Sequence, residues 1–408
     1  MQSIIGTTQV PIVDWIRIDL WLTLHGMTMQ LEETTSPRAE ELVAWAAGFA
    51  PVLREHAEAH DRDGTWVAES FEALRAGGLL SLPVPTELGG MGATIRETAL
   101  VDRELAKHCG STALALSMHH HVTAFTAWRW RRDLPGAEAT LKRVAGNETV
   151  LVSTGGGDFT APRGRALKVD GGYRVSGRKQ FCSQSPVGSV MSTMFAYDDP
   201  EQGLRVLNLA VPFGEGVTVH DTWDTMGMRG TASNDVTIDD VFVPDERVLA
   251  NRPHGVIDPP LQVIVSIAFP IISAVYLGVA ESAAAAAVDA ARDRADSTTV
   301  QRQVGLMQHR LRVADWALRG AFEAVGDDPT PSMETVAAVM AMKREIALAG
   351  VEVCDLAMEI AGGRAYFKGS PIERAYRDIR GAKLHPLNPE DTLLHGGRLA
   401  LGLPCDTF

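Results

Sequence analysis

The hydrophobic period of this chain changes twice along its length, and that double change restricts the available folds more than any single motif does. From Ser36-Pro37, a helix-start pair, Leu42, Trp45, Ala46, Phe49, Val52 and Leu53 follow a 3.6-residue period. A second helix around Val67 to Arg75 stops at Gly77-Gly78. The run LLSLPVPTELGGMGAT (79–94) reads as a loop, with further helices expected over Ile95 to Lys107 and through STALALSMHHHVTAFTAW from Ser111. Between about 149 and 250 the period becomes two, in six short runs from TVLVST to NDVTIDDVFV separated by turn residues. That spacing suits a sandwich or barrel. After Pro259 long alanine-rich helical segments return at roughly 261–294, 299–326, 332–361 and 388–402, which read as a bundle. The expected class is α+β: an N-terminal all-α domain (31–148), a middle β domain (149–255) and a C-terminal four-helix bundle (256–408).

Inside the β segment, GGYRVSGRKQFCS (171–183) is the stretch with most chemistry. Asp170-Gly171-Gly172 is turn chemistry between two strands, because glycine and aspartate tolerate positive φ. Strict alternation puts Phe181 and Ser183 on one face and Cys182 on the other. A ring and a hydroxyl on one face suit a flat, electron-accepting cofactor. The plain alternative is a hairpin with an aromatic core residue.

A net charge of −13 argues against a nucleic-acid partner or an anionic membrane surface. Four scattered cysteines make neither a disulfide framework nor a zinc site and fit a reducing cytosol, so a cytoplasmic location is expected. No apolar run reads as long enough to span a bilayer. Residues 1–30 are apolar but interrupted by Asp14, Arg17 and Asp19, a poor signal peptide. They are read as an extension outside the domains, with Met27 or Met29 as the true start.

GGGD (155–158) is not followed by a helical pattern, as a phosphate loop would be, and no GxGxxG or GxxxxGK[ST] occurs. His119, His120 and His121 point about 100° apart on a helix and cannot converge on one metal, so they read as partly exposed helix histidines, one of which can face the active site. Trp128, Trp130, Arg131 and Arg132 read as a helix end whose arginines favour the dipole.

Four segments, in this order, resemble the acyl-CoA dehydrogenase superfamily of flavoproteins over about 34–405. They are VPTELGGMGAT; VSTGGGDFT with GGYRVSGRKQFCS; TMGMRGTASNDVTIDDVFVP (225–244); and AGGRAYFKGSPIERAYRDIRG (361–381). The resemblance implies one flavin, FAD with FMN as the alternative. Phe181 would pack beside its ring, the Ser183 hydroxyl would bond near N5, and Ser153 and Thr154 would meet its pyrimidine end. Gly157 would face the substrate and Arg229 would help bind it. Gly362 and Gly363 would let backbone approach a neighbouring subunit's cofactor, and Gln303 would keep part of a diphosphate clamp. The implied assembly is a homotetramer or homodimer.

The expected reaction is α,β-dehydrogenation of an acyl thioester, with an electron-transfer partner. A glutamate base usual in the family has no counterpart here, for the two positions that would carry it hold Pro386 and Ala268. His385 is therefore expected to act as base or hydrogen-bond donor, with Glu390 as its rival. This departure keeps open a flavin-dependent monooxygenase fed by a flavin reductase, and a non-catalytic member.

Overall fold

A computed structural model describes residues 36–407. The chain divides into 1–40 and 41–408. Of the first unit only the start of helix α1 (Pro37–Ala47) is described, so the reading of residues 1–30 and of the start lies outside the described residues.

In the second unit the helical period of 42–53 is cut by Gly48 and by Pro51, and a separate helix α2 (Ala50–Asp63) follows with proline in its first turn. Helices α3 (Ala68–Ala76), α4 (Ile95–Ala106), α5 (Gly110–Trp130) and α6 (Ala137–Ala145) complete the N-terminal part. Helix α4 opens with a capping box between Thr94 and Glu97. Helix α5 is buried on every side, its three histidines included. The expectation of partly exposed histidines is thereby overturned: α5 lies between α4, α6, the bundle and the first strand, so no face is left for solvent. Arg131 and Arg132 do not simply serve the helix end, because both pair with Asp328 and Arg132 stacks on Trp128.

The middle part holds β1 (Leu151–Ser153), a single helical turn α7 (Gly157–Thr160), β2 (Arg165–Val169), β3 (Gly172–Cys182), β4 (Val190–Asp199), β5 (Gly203–Pro212), β6 (Val217–Val219), β7 (Asn234–Pro244) and β8 (Val248–Pro253). All strands belong to one sheet, ordered β6-β7-β3-β2-β4-β5-β8, with β1 parallel to β4. The β2–β3 hairpin turns at Asp170-Gly171, with Gly171 at φ +73°. The sheet folds over on itself, since β5 meets β7 across a core of residues such as Val175, Phe195, Leu207 and Ile238.

The bundle comprises α8 (Pro259–Ala291), α9 (Thr298–Val325), α10 (Met333–Ala361), a short α11 (Pro371–Asp378) and α12 (Pro389–Ala400). The last long segment opens where expected, with Asn388 capping its first turn, and stops short of Gly402, which takes φ +68°. Helix α8 corrects a second expectation: it is long and apolar enough to cross a membrane, and its apolar window is wholly buried. It is the core helix, packed by α4, α5, α9, α10 and α11, which is why it is apolar all round. Buried Asp378 of α11 accepts the backbone N–H of Met228, tying the bundle to the segment that closes the sheet domain. Burial pushes its carboxyl up to about 6.

Candidate active site

The end of β3 departs from simple alternation. Lys179 pairs with Val236 and Cys182 with Asn234, so one extra residue bulges on β3. Phe181 takes φ +57°, leaving its ring 55% exposed while Ser183 is 7% exposed. The expected shared face for Phe181 and Ser183 is therefore corrected, because a period of two holds only where the ladder is continuous. The Phe181 ring lies edge-on to Trp223, 5.9 Å between centroids.

Ser183 heads a chain of hydroxyls. Its Oγ is 2.7 Å from Ser233 Oγ, which is 2.7 Å from Thr231 Oγ1, which donates at 3.0 Å to the Met228 carbonyl. A carbonyl supplies no proton, so three hydrogen bonds draw on three hydroxyl protons. All three then point inward, and Ser183 presents lone pairs outward.

The loop after β1 is fixed just as firmly. Thr154 Oγ1 donates to Asp158 at 3.0 Å, and Asp158 forms a buried ion pair with Lys179 at 2.9 Å. Ser153 Oγ sits 3.8 Å from Met118 Sδ on α5. The glycines that follow fit between two side chains. A Cβ on Gly155 would lie 2.9 Å from Phe181, and one on Gly156 would lie 1.9 Å from the Pro386 ring. Gly157 has open space where a Cβ would go. This glycine run joins the strand side of the site to the bundle side.

On the bundle side Phe269, Ser273 and Tyr276 share one face of α8, at spacings of four and three. Lys343 and Ile346 share one face of α10. These residues and His385 line one cleft, and no carboxylate lines it among the described residues. Tyr276 Oη is 2.9 Å from His385 Nε2. Burial pushes the His385 imidazole down to about 3, and Lys343 and His121 add to the effect. Burial lowers Lys343 to about 8, and its ammonium donates to the Leu387 carbonyl at 2.7 Å. His119 and His121 are lowered by burial to about 3 and about 4.

Other expected site residues are placed elsewhere. Glu390 is exposed in the first turn of α12, and Ala268 is a buried core residue of α8. Arg229 spends its guanidinium on the Asp61 and Thr225 carbonyls and on Asp224. Gln303 donates to Glu359 at 3.2 Å, and Gly362 and Gly363 are exposed beyond α10 with open space around them. Sequence reasoning passed over Tyr276, Lys343, Thr231 and Ser233. Lys343 alone left a signal: a charge on the apolar face Val336, Val339, Met340, Ile346, Ala347.

Three family models match the chain: acyl-CoA dehydrogenase, N-terminal domain, over 36–130; middle domain, over 153–241; and C-terminal domain, over 270–389. An amino sugar nitrososynthase, DnmZ of Streptomyces peucetius, is 29% identical over 91% of this chain and 95% of its own. An isobutylamine N-hydroxylase of Streptomyces viridifaciens is 30% identical over 83% and 87%. The solved structure of a KijD3 in complex with FMN and dTDP-3-amino-2,3,6-trideoxy-4-keto-3-methyl-D-glucose superposes with a TM-score of 0.83, at 27% identity over 91% of this chain and 96% of that one.

Proposed function

Since this chain belongs to the acyl-CoA dehydrogenase superfamily, and since its cleft offers a substrate a neutral histidine instead of a carboxylate, we propose that it is a flavin-dependent monooxygenase that takes reduced FMN from a separate reductase. The chain is a flavin oxidoreductase; the reaction is what is proposed. The observation that carries the proposal is the cleft wall itself. Removing a proton α to a thioester needs a strong, desolvated base. Here Pro386 and Ala268 have no ionisable group, Glu390 is exposed, and His385, pushed down to about 3, is a weak base.

The residues present fit a reduced flavin. Reduced flavin carries N–H at N5, to which Ser183 would offer an acceptor, whereas oxidised flavin asks for a donor. Phe181, Trp223 and the Ser153–Thr154 turn would hold the ring. Glu359 beside Gln303 opposes a diphosphate by like charge, which favours FMN over FAD. Bound in reduced form, the flavin supplies the electrons that activate oxygen. His385 would hydrogen-bond the substrate, and Tyr276 fixes the orientation of its ring. The apolar residues around them keep water out of the cleft. The relatives' names add amine oxygenation to the range of candidate reactions.

The test is oxygen consumption by the purified chain given reduced FMN, with product analysis across amines, phenols and sulfur compounds. Incorporation of one oxygen atom into a product is expected. Bleaching of bound flavin by an acyl thioester without oxygen would instead restore dehydrogenation.

A further inference from the structure

We propose that the cleft beside His385 is an anion niche, in which the Lys343 ammonium and the Ser273 hydroxyl hold one oxygen of a carboxylate, phenolate or sulfinate on the substrate. Lys343 is 3% exposed, yet among the described residues no carboxylate pairs with it. Its nitrogen donates to the Leu387 carbonyl at 2.7 Å and lies 5.7 Å from the centre of the Phe269 ring. An ammonium has three N–H donors, and the Leu387 bond uses one of them. A buried cation without a counter-ion is costly unless something completes it.

The neighbouring groups point to the same ligand. Ser273 is buried and lines the cleft, and Tyr276 and His385 bond to one another across it. The walls are otherwise apolar, from Phe269 to Ile346, which strengthens any charge interaction made there. The enclosed part has room for about one water-sized atom, so it suits one ligand oxygen whose remaining atoms extend past His385. An alkylammonium substrate would bring a second cation to a wall that has no acid. The nearest simpler role, a tether of Lys343 to the Leu387 loop, needs no charge preference in the ligand.

This inference rests on reading the cleft as the substrate site, and its test does not use turnover. Two matched sets, benzoate with benzamide and benzylammonium, and hexanoate with hexanamide and hexylammonium, are titrated by ligand-detected NMR into the full chain with saturating FMN. Each acid is expected to bind at least about tenfold tighter than its amide, with the ammonium weakest. Lys343→Met should erase the acid preference and leave the amide Kd within about twofold, while Lys343→Arg keeps the preference. Should Lys343→Met fail to fold, Lys343→Gln is read in the same way. Equal binding of acid and amide in both sets overturns the proposal, as does no measurable binding of either, or a preference that survives loss of the lysine charge. Oxygenation without the preference would sink only this inference. No use of reduced FMN would sink the monooxygenase reading and leave the binding result standing.

Discussion

The strand side of the candidate site and the bundle-side cleft differ in how their charged and polar groups are paired. On the strand side, Thr154 and Lys179 both bond to Asp158, and Ser183, Ser233 and Thr231 form a chain that ends on a carbonyl. On the bundle side, the Lys343 ammonium and the neutral His385 line a cleft with no carboxylate among the described residues, and each is held below its ordinary pKa. A wall that satisfies itself is preorganised and fixes one ligand in one orientation. A wall left short of negative charge is completed by what binds. The first suits a cofactor common to a superfamily, and the second suits a substrate that varies within it.

Acid should cost the fold most, through the buried neutral histidines on both sides. His119 accepts the Leu151 N–H at Nδ1 and donates to the Leu80 carbonyl, so a second proton would set donor against donor. His119 and His121 stay neutral in the fold down to about 3 and about 4. Between pH 6.5 and about 4 the unfolded chain therefore binds protons that the folded chain refuses, and stability falls as pH falls. At pH 5 the loss is about 2 kcal/mol for each of His119, His121 and His385, about 6 together, from 1.36 kcal/mol per unit. Chemical denaturation at pH 7 and pH 5 measures it, and His119→Gln should remove about a third. A flat profile would mean that these histidines are not buried neutral.

His385→Ala attacks the other wall. Loss of the group that would hydrogen-bond and orient the substrate should lower kcat/KM for oxygenation about 100-fold while FMN affinity holds. An unchanged rate would move that role to another residue, and a matching loss of FMN affinity would make His385 structural.

The seam between the walls is Gly156. Gly156→Ala forces its Cβ into Pro386 and should cost about 2 kcal/mol of stability or an equivalent loss of FMN affinity. Gly157→Ala, whose Cβ meets nothing within 4 Å, is the control and should change neither. Equal behaviour of the two variants in thermal melts and FMN titrations would show that the loop does not rest on Pro386.

The smallest effect tests the direction of the hydroxyl chain. In Thr231→Val, Ser233 loses its acceptor and can turn its proton toward Ser183, freeing the Ser183 hydroxyl to donate outward. The ratio of Kd for oxidised to reduced FMN should fall about 5-fold, the equivalent of about 1 kcal/mol, while Thr231→Ser keeps it. Anaerobic and aerobic flavin titrations read the ratio. No shift in Thr231→Val would mean that the protons of this chain do not run inward.

What the linear chain determined is the architecture. Period-two strands between helical segments, the Asp170-Gly171 turn and the four ordered segments depend on local patterns, and local patterns survive in sequence. The same patterns led to the stretch around Ser183 and to His385, because an aromatic-hydroxyl strand end and a missing glutamate are both visible without coordinates. Tertiary structure decided the rest. The bulge that turns Phe181 outward depends on how β3 pairs with β7, and burial of His119–His121 depends on what surrounds α5. The hydroxyls of Thr231 and Ser233 matter only because a fold brings them within hydrogen-bonding reach of Ser183, some fifty residues away in sequence. Lys343 and Tyr276 meet beside His385 because α8 and α10 pack face to face, and spacing within one helix fixes a face without naming the helix opposite it.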